Sequence, residues 1–154
     1  MSNNLEFREA TRADLPAIVR MLAHDRLGGT REEFTDPLPA AYFNAFEHID
    51  ADPNNLLLVA MLDDRVVGTL QLTFTPSLSY RGGWRATVES VRTDESLRGQ
   101  GIGTALMKHA IELSKRKGCV LIQLSTHNTR TDAQRFYTRL GFTASHVGMK
   151  LSLV

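Results

Sequence analysis

Apolar and polar residues alternate near the start of the chain. Leu5 and Phe7, then Ala10, stand among polar neighbours and predict a short first strand. Thr11, with Asp14 three residues on, has the spacing of a capping box, so a helix opens there. Ala13, Ala17 and Met21, with Ile18 and Leu22, supply its apolar stripe, and Gly28-Gly29 ends it. Residues 30–38 read as irregular, with Pro37 and Pro39 as breakers. A second helix is expected from about Pro39 to His48 on Tyr42, Phe43 and Phe46. The apolar run Asn55–Leu62 and the segment Val66–Phe74 flank the turn Asp63-Asp64-Arg65 and predict a β-hairpin.

Beyond a polar loop from Pro76 to Gly83, alternation resumes over Trp84–Val91. Ala86, Val88 and Ser90 fall on one side, and Thr87, Glu89 and Val91 on the other. The clearest helix follows, with Ile102, Ala105, Leu106, His109, Ala110 and Leu113 recurring at spacings of three and four. Lys115, Arg116 and Lys117 suit the negative end of its dipole, and Gly118 stops it. Val120–Leu124 is expected as a buried strand, and Thr131–Leu140 as a fourth helix closed by Gly141. Phe142–Leu153 is expected as one or two closing strands. The order β-α-α-β-β-β-α-β-α-β predicts an α/β (α+β) fold as one domain over residues 1–154. Its sheet is mixed, because hairpins are antiparallel while strand–helix–strand crossovers favour parallel neighbours.

Composition removes function classes without choosing one. The 154 residues are 42% hydrophobic and 23% charged, the profile of a soluble globular domain. Lys and Arg number 18 against 17 Asp and Glu, a net charge of +1, so no basic field draws nucleic acid or an anionic membrane. An anionic ligand must be held by local geometry. The single Cys119 excludes an internal disulfide and a Cys-paired zinc site, and the five histidines show no metal-ligand spacing. No secretory pattern opens the chain, and no apolar run approaches the roughly 20 residues that span a bilayer. A cytoplasmic protein with no metal and no membrane contact is expected.

The chemistry is concentrated where the strand at Trp84–Val91 leads through a polar turn into Arg98-Gly99-Gln100-Gly101-Ile102-Gly103-Thr104 and directly onto the third helix. Glycines at alternate positions let backbone N–H groups approach a ligand, and a helix N-terminus presents about half a positive charge. That arrangement suits a phosphate or pyrophosphate, to which Arg98 adds a charge-assisted contact. A P-loop does not fit, because no Lys-Ser/Thr pair follows the last glycine. A dinucleotide fingerprint does not fit either, because Thr104 stands where Gly or Ala is needed.

Arg98–Gly103 resembles the Arg/Gln-x-x-Gly-x-Gly/Ala signature of the GNAT superfamily of acyl-CoA-dependent N-acyltransferases. Ala133-Gln134-Arg135-Phe136-Tyr137-Thr138-Arg139-Leu140-Gly141-Phe142 is similar to that family's Ala-x-x-Phe-Tyr-x-x-x-Gly-Phe segment. Leu124-Ser125-Thr126, Asp132–Tyr137 and Ser145-His146 further resemble aminoalkylphosphonate N-acetyltransferases. The resemblance implies acetyl-CoA as co-substrate, a small-molecule amine as acceptor, and a homodimer. It implies that the amides of Arg98, Gly99, Gln100, Gly101, Ile102, Gly103 and Thr104 cradle the CoA pyrophosphate. The pantetheine arm would lie in a splayed gap between the fourth and fifth strands, along Val91, Arg92 and Thr93, with a bulge near Glu89–Val91 opening the gap. Glu89 becomes the general base, acting through water, and Tyr137 the acid that protonates the leaving sulfur. A phenol near pKa 10 suits a thiol near 8.5. The family often has Asn three residues before the alanine matching Ala133. Here Arg130 stands there, with Asn128 nearby, and both are candidates for CoA contact.

The acceptor side is less constrained. Arg26, Tyr42, Tyr80, Arg81 and Trp84 are candidates from the first two helices and the loop before the fourth strand, with His24, Arg85 and His127 behind them. A protein or peptide N-acetyltransferase and a non-catalytic acyl-CoA sensor remain open beside a small-molecule enzyme.

Overall fold

The computed structural model describes residues 4–25 and 28–154. The chain divides into two compact units, Met1–Gln123 and Leu124–Val154. The sheet runs in the spatial order β1 (Leu5–Glu9), β2 (Asn55–Leu62), β3 (Arg65–Thr75), β4 (Trp84–Thr93), β5 (Cys119–Leu124). β1–β2, β2–β3 and β3–β4 are antiparallel. Helix α3 (Ile102–Arg116) connects the adjacent strands β4 and β5, a crossover that returns the chain in the parallel sense. The sheet is therefore mixed, as the element order predicts.

Register sorts the side chains onto two faces. Arg8, Val59, Thr69 and Arg92 stand opposite one another across β1 to β4. On that face Val59 joins a buried cluster with Ile18 and Val19 of α1 (Leu15–Ala23) and Phe46 of α2 (Ala40–Ala51). The entry to α1 is fixed as its sequence predicts. The Asp14 carboxylate accepts from the Thr11 N–H at 2.7 Å and from both Arg8 terminal nitrogens at 2.6 and 3.0 Å. The Arg8 contact above all holds that carboxyl below the usual range.

The opposite face carries Phe7, Ala60, Gly68, Leu72 and Val88 and receives α3 through the buried Leu106, Met107 and Ala110. A Cβ on Gly68 would stand 3.3 Å from Ile102 Cγ2 and from Ala60 Cβ, so the missing side chain lets the first turn of α3 settle on β3. Farther along α3, His109 stacks on Phe7 with ring centroids 4.7 Å apart and planes 15° apart. Burial first, and the Arg116 charge second, push the His109 pKa down. The unfolded chain then binds this proton more readily than the folded one. Stability is full above the ordinary value near 6.5 and falls as pH drops through the folded value. Between about pH 7 and pH 5 the melting temperature should fall more steeply for the natural chain than for His109→Phe, which keeps the stack and cannot titrate. Parallel melting curves against pH would remove His109 as the cause.

β5 departs from expectation. It is the edge of the sheet rather than a buried strand: Val120 is 54% exposed, and Leu121, Ile122 and Leu124 are only half-buried. An apolar run read alone does not tell how many strands will flank it. Gln123 Nε2 of β5 donates across to Thr87 Oγ1 of β4 at 3.2 Å.

In the second unit, α4 (Thr131–Arg139) ends as Gly141 predicts. The Gly141 N–H donates to the Thr138 carbonyl at 3.0 Å and the Phe142 N–H to the Tyr137 carbonyl at 3.1 Å. The Phe142 ring meets Tyr137 edge-on at 5.9 Å, the apolar contact that accompanies this type of helix end. The closing strands expected over Phe142–Leu153 do not form within this unit: residues 142–154 carry no regular secondary structure. Alternation supplies one apolar face, but a strand also needs a neighbour for its backbone groups.

Candidate functional site

The site grows from the end of β4. Asp94 accepts from the Ser96 N–H at 2.9 Å and the Ser96 hydroxyl at 2.6 Å, and Arg65 of β3 reaches the same carboxylate. These contacts, Ser96 foremost, draw the Asp94 carboxyl down to about 2. The Asp94 N–H also donates to the Val67 carbonyl at 2.8 Å. The turn after β4 is thus tied to β3 before the glycine loop begins, which sets where the loop starts. Neither Asp94 nor Arg65 stands out in the sequence, because their pairing spans 29 positions.

Gly99 and Gly101 take φ of +80° and +82°, in the left-handed region that side chains rarely adopt, and a Cβ at either would meet nothing within 4 Å. Gly101 is the residue before α3, and no side chain caps that helix end. The first N–H groups of a helix have no acceptor within it, so those at the start of α3 face outward at its positive end. Arg98, Gly99 and Gln100 are exposed beside them, Gly103 and Thr104 are half-covered, and Ile102 is buried against Gly68. An open, uncapped helix start behind two left-handed glycines fits an anionic group such as a pyrophosphate.

β4 carries the bulge that the resemblance implies. Thr69 pairs with Arg92 and Gln71 with Glu89, so Ser90 and Val91 together stand opposite Leu70 alone, and Ser90 takes φ +55°. The extra residue changes the alternation. Glu89 and Arg92, on opposite sides in strict alternation, both face the α1 side, as their partners Gln71 and Thr69 do. Glu89 is exposed there. Arg92 donates to Asp25 Oδ2 at 3.2 Å and to the Val91 carbonyl at 2.8 Å, with both ion-pair partners largely covered. Asp25 follows α1 and is a site residue that sequence reading misses, because 67 positions separate it from Arg92. Val91 and Thr93 are half-buried.

The acceptor candidates separate. Trp84 shares a side of β4 with Ala86 and Val88, and Lys117 lies 5.8 Å over its ring. It therefore sits on the α3 face of β4, opposite Glu89. Tyr42 is on the Glu89 face, but its hydroxyl accepts from the Glu33 N–H at 2.9 Å, and its ring packs against the α1–α2 cluster. Tyr80 and Arg81 are exposed on the loop before β4, with φ of +53° and +57°. Arg26 lies outside the described residues.

The remaining sequence-predicted residues lie in the second unit. Tyr137 is half-buried, its ring edge-on to Phe136 at 5.1 Å. Arg130 precedes α4, and its carbonyl accepts from the Gln134 N–H at 3.1 Å. The Asn128 carbonyl accepts from Gln134 Nε2 at 3.1 Å. His127 Nδ1 lies 2.7 Å from Thr129 Oγ1.

Comparison with known proteins adds four matches. A model of the acetyltransferase (GNAT) family matches residues 22–142. The aminoalkylphosphonate N-acetyltransferase of Salmonella typhimurium is 35% identical over 95 residues, 62% of this chain and 61% of that protein. The glucosamine 6-phosphate N-acetyltransferase of Trypanosoma brucei brucei is 35% identical over 89 residues, 58% of each. The match thus spans about three fifths of the length of these curated relatives. Among solved structures, a transcriptional regulator from Bacillus halodurans C-125 superposes with a TM-score of 0.95 at 53% identity, over 97% of this chain and 100% of that one.

Proposed function

This chain belongs to the GNAT acetyltransferase family, and on that premise we propose that it moves an acetyl group from acetyl-CoA to the primary amine of a small molecule. An aminoalkylphosphonate or an amino-acid-like amine is the acceptor class we favour, in view of the similarity to the Salmonella protein. The observation that carries the reading is the open, left-handed glycine loop at the uncapped start of α3, beside a bulged β4 that presents Glu89.

Backbone N–H groups from Arg98 to Thr104 hold the CoA pyrophosphate, with the Arg98 side chain adding charge. Val91, Arg92 and Thr93 are our assignment for the pantetheine arm, and Asn128 and Arg130 are assigned to CoA as well. The bound thioester supplies the acetyl group. Glu89 takes the amine proton through water as nitrogen bonds to the carbonyl carbon, and Tyr137 gives a proton to the sulfur as the C–S bond breaks. Arg81 and Tyr80, exposed before β4, meet the acceptor's polar end, and Tyr42 and Arg26 are further acceptor contacts in this reading. The 154 residues work as one catalytic domain in the cytoplasm. Among the described residues, no helix is long and apolar enough to cross a membrane.

A second reading rests on the 53% identity to the Bacillus halodurans regulator: an acyl-CoA sensor without turnover. The net charge of +1 gives it no basic field for DNA. Free-thiol release from acetyl-CoA, measured across aminoalkylphosphonates, amino sugars, amino acids and peptide N-termini, separates these readings. Release with a small anionic amine is expected. Release with peptides alone moves the acceptor class, and CoA binding with no release across the panel favours the sensor. No CoA binding by calorimetry removes both.

A further inference from the structure

Four arginines lie in the strands of the sheet, and three of them meet a carboxylate: Arg8 that of Asp14, Arg65 that of Asp94 and Arg92 that of Asp25. Arg85, near the start of β4, does not. It is half-buried and its Nε is shut off from solvent. Its side chain has neither a hydrogen bond nor an ion pair among the described residues. A covered guanidinium nitrogen without an acceptor is destabilising. Register shows where it stands. Arg85 pairs with Thr75, Thr87 with Thr73 and Glu89 with Gln71 in unbroken alternation, so Arg85, Thr87 and Glu89 share the α1 side of β4. On the α3 side, this part of β3 carries the fully buried Leu70 and Leu72. On the α1 side it carries half-buried Gln71 and Thr73, and Gln71 Nε2 donates to Asn55 Oδ1 at 3.0 Å. Polar side chains on inner strands mark a face left to water and polar ligands rather than to a core. All of these residues belong to the first unit.

We propose that Arg85 selects the acceptor. Its Nε and a terminal nitrogen clasp two oxygens of a phosphonate, phosphate or carboxylate on the acceptor, whose amine then lies toward Glu89. The planar fork of a guanidinium matches two oxygens of such a group, and the orphaned Nε gains its acceptor. Arg81, exposed on the loop before β4, carries a charge that water screens, so it steers the anion rather than grips it. The spacing also sets a length. Four residues of strand put the Cα atoms of Arg85 and Glu89 about 13 Å apart, with both side chains standing off the sheet. A direct contact of about 3 Å at the anion and a water-bridged one of about 6 Å at the amine leave about 4 Å between the two ends, room for a chain of about two or three carbons. The amine end of this inference rests on the acetyl-transfer reading, whereas the anion contact does not.

Titration calorimetry on the full chain, with and without saturating CoA, tests it with 2-aminoethylphosphonate, β-alanine and ethanolamine as probes. At least one of the two anionic amines should bind, and the phosphonate and carboxylate arms tell which oxyanion is preferred. Ethanolamine, of like length and without the anion, should not bind. Arg85→Gln should weaken binding of the anionic amine about 30-fold or more, with CoA affinity and melting temperature close to those of the natural chain. Arg85→Lys keeps the charge and loses the fork, so its affinity should fall between the two. It decides alone should Arg85→Gln fail to fold, and an affinity equal to that of the natural chain would then sink the idea. Anion binding that needs Arg85 but brings no free-thiol release from acetyl-CoA supports the anion contact and removes the acetyl-transfer reading. The proposal is overturned if neither anionic amine binds, if Arg85→Gln binds as tightly as the natural chain, or if ethanolamine binds as well as the anionic amines.

Discussion

Replacing Tyr137 with Phe lowers kcat by about 100-fold or more while CoA affinity and melting temperature stay close to those of the natural chain. The variant keeps the ring. Contacts with Phe136 at 5.1 Å and Phe142 at 5.9 Å, which close α4, are made by ring atoms and survive. Only the hydroxyl is removed, and with it the acid assigned to the departing sulfur. A purely structural Tyr137 would leave kcat unchanged, so steady-state kinetics beside calorimetry decides. Glu89→Gln belongs in the same experiment as the complementary test. Its rate should fall most near neutral pH, where the amine is protonated, and recover as the free amine becomes abundant at higher pH. A pH–rate profile identical to that of the natural chain would take Glu89 out of the proton path.

Gly101→Val should weaken CoA binding by roughly 5- to 30-fold, because a left-handed residue with a side chain costs about 1–2 kcal/mol. The structural reason is conformational rather than steric. Gly101 holds φ +82° with no atom within 4 Å of where a Cβ would stand, so the valine has room but not the backbone freedom. Gly101→Asn should lose less, since Asn enters the left-handed region more readily than a β-branched residue. Calorimetric titration with CoA measures all three proteins. Equal affinities across the series would mean that the loop does not hold the cofactor through its observed shape.

Much of this molecule is legible along the chain, because much of it is local. The helical stripe from Ile102 to Leu113, the capping pair Thr11 and Asp14, and the stop at Gly141 each depend on residues within a few positions of one another. The structure contains them as read. The glycine loop is legible for the same reason. The site's non-local parts are not. Asp25 meets Arg92 across 67 positions and Arg65 meets Asp94 across 29, and no periodicity announces either pair. Strand register, not the local sequence, sets Trp84 on the α3 face, under Lys117.

The sequence by itself determined the order of elements as far as α4, the mixed sheet and the glycine loop that opens α3, since propensity, capping and turn chemistry act over short range. Only the tertiary structure decided which side of β4 each residue takes. One extra residue at Ser90-Val91 shifts the alternation and puts Glu89 and Arg92 on the same face. It also decided that β5 stands last in the strand order and that the apolar pattern of 147–153 carries no regular structure. A side-chain pattern specifies one face of a strand, whereas the neighbours that complete its backbone hydrogen bonds are set by the rest of the fold.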